Sequence, residues 1–148
     1  MAVKNKKSPM KKKFLKGITV HKFGSFPAEM LVCVGVTKKE VEAYCKDKKQ
    51  NITKEYKEWL TGNSAEIEGA FAQKEGGSFA YNGDKRVLVI NKFEDTWNSW
   101  QTLMHEIHHA VAHVAMKHKF EDESEAQAYT FEQAFREIRR KLQGIDPI

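Results

Sequence analysis

RVLVINKFEDTWNSWQTLMHEIHHAVAHVAMK, residues 86–117, decides the fold. Its opening run, Arg86-Val87-Leu88-Val89-Ile90, is rich in the β-branched side chains that suit a pleated sheet and reads as a strand. Asp95 or Thr96 can then cap a helix expected to reach about Lys117. With His105 at zero and about 100° per residue, Trp100, Leu103, Ile107, Ala110, Val111 and Val114 form one apolar stripe between about 140° and 240°. His105, His109 and His113 fall between about 0° and 80°, away from that stripe, where they could line a cleft beneath the preceding strand.

Downstream, a second long helix is expected from about Glu123 to Leu142, stopped by Gly144 and Pro147. Upstream, Phe14 to Phe23 and Met30 to Val36 read as strands, with Gly24, Ser25 and Pro27 between them. Thr37 stands three residues before Glu40, the spacing of a capping box, and opens a helix to about Asp47. Thr53 repeats the cue for a helix carrying Tyr56, Trp59 and Leu60 and ended by Gly62-Asn63. From Ile67 to Asn91, glycines at 69, 76, 77 and 83 suggest a meander of short strands, with a hairpin turn at Asn82-Gly83-Asp84 whose loop can exceed two residues. The expected class is α+β: a small, mostly antiparallel sheet followed by two long helices.

The 148 residues suit one domain over 14–148 behind a flexible basic arm over 1–13. A 41% hydrophobic fraction excludes disorder for most of the chain. No run approaches the roughly 18 to 20 apolar residues of a membrane helix, and the N-terminus lacks the apolar segment of a secretory signal, so a cytoplasmic protein is expected. Cys33 and Cys45 are too few and too far apart for a disulfide scaffold or a zinc ribbon and should be reduced and structural. Net charge is +5, but the first sixteen residues hold seven of the 25 basic side chains and no acidic one. That leaves 18 basic against 20 acidic elsewhere, so nucleic-acid binding is not expected of the core and is open only to the lysine-rich arm.

Within the helix, His105-Glu106-Ile107-His108-His109 is an H-E-x-x-H motif. Residues four apart lie about one turn apart on one side of a helix, so His105 and His109 can aim imidazole nitrogens at one zinc ion. Glu106, on the neighbouring strip, can reach a zinc-bound water, which the metal acidifies toward a pKa of about 7. A catalytic zinc site takes three protein ligands. The pattern with a third histidine six residues on is excluded, because Ala112 and Ala115 hold its glycine and histidine places. His113 is about 12 Å along the axis from His105, too far to share the ion. The acidic stretch from Glu121 to Glu125 remains, with Glu125 preferred, since Ala126 allows close helix packing, and Glu123 the other candidate. Asp122 can orient a ligand histidine, and Glu121 and Glu123 also suit a helix N-terminus. His108 fits a structural or supporting role. His113 and His118 could face the cleft, and Tyr129 could donate to an oxyanion.

H105-E106-x-x-H109 with E125-A-x-A-Y129 resembles the minimal gluzincin-type zinc metallopeptidases of phages and mobile elements, over residues 86 to 142. The resemblance implies a zincin-like fold and zinc held by His105, His109 and Glu125. It also implies Glu106 as general base, with a peptide substrate extended along the strand before the motif helix. Peptide-bond hydrolysis is therefore the leading expectation. The alternatives are a non-catalytic zinc-containing binding or regulatory protein that contacts nucleic acid or an acidic partner through its arm, and a hydrolase of another amide, such as one in cell-wall material.

Overall fold

The computed structural model describes residues 13–24, 27–47, 49–50, 52–73 and 76–148. The reading of residues 1–13 as a flexible arm lies outside these, apart from Lys13.

Layering follows from two strands that are apolar on both faces: β2 (Glu29–Val34) and β4 (Lys85–Ile90) pair in parallel at the centre of the sheet. β1 (Gly17–Lys22) and β3 (Gly77–Asn82) flank them antiparallel, giving the order β1-β2-β4-β3. Alternation along the pleat sends Leu31, Cys33, Val87 and Val89 to one face and Met30, Val32, Val34, Leu88 and Ile90 to the other. The first face is covered by α1 (Lys38–Lys46), α2 (Lys54–Thr61) and α3 (Ala65–Ala72) through Val41, Trp59, Leu60 and Ile67. The second is covered by α4 (Trp97–Lys117) and α5 (Ser124–Leu142). Burial on both faces explains why the central strands read as unbroken apolar runs.

Local signals hold at the helix starts. Thr37 and Glu40 form the reciprocal capping box, and Thr53 and Thr96 accept from the backbone N–H groups of Tyr56 and Ser99. The expected stripe of α4 is buried from Trp100 to Val114. On α5, Thr130, Ala134 and Ile138 repeat every four residues and are buried, and Ala126 packs against the same core. Cys33 and Cys45 are free and buried.

One expectation needs correction. Residues 65–72 form α3 rather than the first strand of a meander: Ile67 and Ala70 are buried three residues apart, and exposed Gly69 sits within the helix. The tolerated cost of such a glycine is about 1 kcal/mol relative to alanine. The sheet is mostly antiparallel, as expected, in two of its three pairings; the central one is parallel, because the chain passes through α1 to α3 between β2 and the β3–β4 hairpin. The hairpin loop itself is only two residues, Gly83 and Asp84, with Gly83 at φ 61°. A glycine with positive φ at the first central position suits a type II′ turn.

Candidate metal centre

α4 lies over β3 and β4 and presents its motif at the sheet edge. The Nε2 atoms of His105 and His109 are 3.1 Å apart, and both side chains are exposed. Two nitrogens at about 2.05 Å from a tetrahedral ion stand about 3.3 Å apart, so the pair fits a shared zinc.

Glu106 behaves differently. Only 7% of it is exposed, because it packs against Gly77 of β3. Burial pushes its carboxyl above the usual range, while His105 and His109 pull the other way. A carboxylate so placed is a stronger base than one in water.

Neither acidic candidate from the start of α5 joins the histidine pair. Among the described residues no group of three or more His, Cys, Asp or Glu side chains is gathered for a metal. Glu125 is exposed in the first turn of α5, Glu123 is the residue before that helix, and Asp122 is exposed in the link. Tyr129, 63% exposed, follows Glu125 by one turn. His108 borders a cavity of about 470 Å³ between α4 and α5 with Val111, Ser124, Gln127, Ala128, Phe131 and Glu132, its ring 6.3 Å from that of Phe131.

His113 and His118 turn from the motif toward the hairpin. His113 is buried, its Nδ1 accepting from Arg86 Nε at 2.8 Å and its ring 4.1 Å from that of Tyr81. Its Nε2 is buried without a partner among the described residues. Burial, then the Arg86 cation, lowers its pKa to about 4, so the ring is neutral at pH 7. Arg86 is wholly buried and pairs with Asp84, which His118 Nε2 approaches at 3.7 Å. His113 is separated from the motif histidines despite its similar helical angle because the sheet lies under that side of the helix.

β4 precedes the motif helix but is paired on both sides, so its backbone groups are committed. β3 is the edge strand beside α4, with Gly77 against Glu106 and with Phe79 and Tyr81 against His113. The two-residue turn makes Asn82 and Lys85 the closing hydrogen-bonded pair. Alternation then leaves the N–H and C=O groups of Gly77, Phe79 and Tyr81 on the free edge.

Residues 67–138 match the IrrE N-terminal-like domain, a peptidase family. The matched segment holds β3, β4, α4 and most of α5, and with them His105, Glu106, His109, Glu123 and Glu125. No curated protein and no solved structure matches the chain.

Proposed function

We propose that the chain is a zinc-dependent, gluzincin-like peptidase with a zincin-like domain, hydrolysing peptide bonds at the free edge of β3. The observation that carries this reading is the 3.1 Å pairing of the two exposed motif histidines beside a buried glutamate on that edge. The similarity of residues 67–138 to a peptidase family supports it. His105 and His109 would hold the metal with Glu125, whose exposed side chain would swing in as third ligand; Glu123 is the other candidate. When bound, zinc would polarise the scissile carbonyl and acidify water.

The chain's own residues do the rest. β3 offers its unpaired backbone groups to an extended peptide, which adds as a further strand. Glu106 takes the proton from the attacking water and delivers it to the departing amine. Its burial against β3 keeps the carboxylate close to the strand that would carry the substrate. The two free, buried thiols suit a reducing, cytoplasmic setting.

Incubating the zinc-loaded full chain with a diverse peptide mixture and reading cleavage by mass spectrometry tests the proposal. The wild type should cut, and Glu106→Gln should keep the metal and lose at least about a hundredfold in rate. Undiminished cleavage in Glu106→Gln would remove Glu106 from its role, and no cleavage by the zinc-loaded wild type would contradict the peptidase reading.

A further inference from the structure

Gly77 has no conformational reason to be glycine. The positive-φ glycines are at 24, 35, 76, 83 and 144, and Gly77 is absent from them. Its neighbour Gly76 is the reverse case: φ is 78°, and a Cβ there would meet nothing within 4 Å. At Gly77 the backbone would accept any L residue, but the space would not. A Cβ would lie 2.9 Å from Glu106 Cγ, 3.2 Å from Thr102 Cγ2 and 3.3 Å from Ile90 Cγ1. The missing side chain is thus replaced by the stem of Glu106, which lies down on the edge strand and is buried there.

We propose that Gly77 is a positioning residue for Glu106: by offering bare backbone, it lets the carboxylate settle on the β3 edge where a peptide strand would pass. Without that gap the glutamate stem must rotate off the strand, and the base moves away from the edge. This rests on the reading of Glu106 as the base, but the location of the side chain can be measured whether or not the chain hydrolyses anything.

The test uses the metal-free full chain labelled with ¹³C at the glutamate side-chain carboxyl, the Glu106 resonance being assigned by its loss in Glu106→Gln. Gly77→Ala should shift that resonance and leave those of distant glutamates in place. Zinc taken up per chain should equal that of the wild type. Gly76→Ala should lower stability through strain at its positive φ without moving the Glu106 resonance. A double-mutant cycle guards against a poorly folding variant: in a Glu106→Ala background, which removes Cγ, Gly77→Ala should lose most of its destabilising effect. The proposal is overturned by an unmoved Glu106 resonance in Gly77→Ala, or by a shift as large in Gly76→Ala. Equal destabilisation by Gly77→Ala in both backgrounds, or loss of zinc uptake on that substitution alone, would also overturn it.

Discussion

α4 carries four histidines between residues 105 and 113, and the two ends of that stretch use theirs in opposite ways. At one, His105 and His109 are exposed with their Nε2 atoms turned to each other; at the other, one turn later, His113 is buried, hydrogen-bonded to Arg86 and covered by Tyr81. Residue type and helical spacing are nearly the same at 109 and 113. What differs is the neighbouring strand: β3 presents an empty Gly77 near the motif and the rings of Phe79 and Tyr81 near His113. The same side chain is therefore left exposed in one place and made part of the core in the other.

The largest expected effect lies at the buried end. Arg86→Ala removes a wholly buried guanidinium that serves His113, Asp84 and the Glu29 carbonyl. It should cost about 3 kcal/mol in urea unfolding, the scale for breaking a buried polar network. A loss under about 1 kcal/mol would mean that the Arg86 and His113 pair does not anchor α4.

A smaller effect follows from protonation. The folded-state pKa of His113 and of buried His21 is lowered to about 4 from 6.5. Between those values the unfolded chain binds more protons, so each neutral ring contributes stability that is full above pH 6.5 and lost as pH falls through 4. Stability should drop by about 2 kcal/mol or more from pH 7 to pH 4.5, and His113→Phe should flatten part of that slope. An unchanged slope would place His113 outside the linkage.

The exposed end should be the quietest. In metal-free protein, His105→Ala and His109→Ala should change stability by no more than about 0.5 kcal/mol, as exposed substitutions do. A loss comparable with that of Arg86→Ala would erase the contrast between the two ends.

The legible parts of the molecule were those set by local spacing. The stripe of α4, the caps at Thr37 and Thr53, the extent of α5 and the hairpin at Asn82-Gly83 follow from residues close in sequence, and the structure has them. What escaped depends on distant partners. The parallel β2–β4 pairing joins segments more than fifty residues apart, and local patterns carry no trace of it. α3 was obscured by Gly69, which reads as a turn unless the burial of Ile67 and Ala70 is known. Arg86 stood at the start of an apolar strand, where a charge suggests a solvent end; besides nearby Asp84, its partners are His113, 27 residues away, and the Glu29 carbonyl, 57 away. Gly77 looked like one turn glycine among several, and only the approach of Glu106 separates it from Gly76. The motif pair was legible because its geometry lies within one helical turn. A third ligand from α5 depends on how two helices meet, which spacing alone does not set.

Metal content tests the central claim most directly: elemental mass spectrometry of the purified, untagged chain, beside His109→Ala and Glu125→Ala. The account predicts about one zinc per chain in the wild type and loss in both variants, while zinc kept in Glu125→Ala would move the third ligand to Glu123 or elsewhere. No metal in the wild type after zinc reconstitution would contradict the account, leaving His105 and His109 as an exposed pair on an ordinary helix.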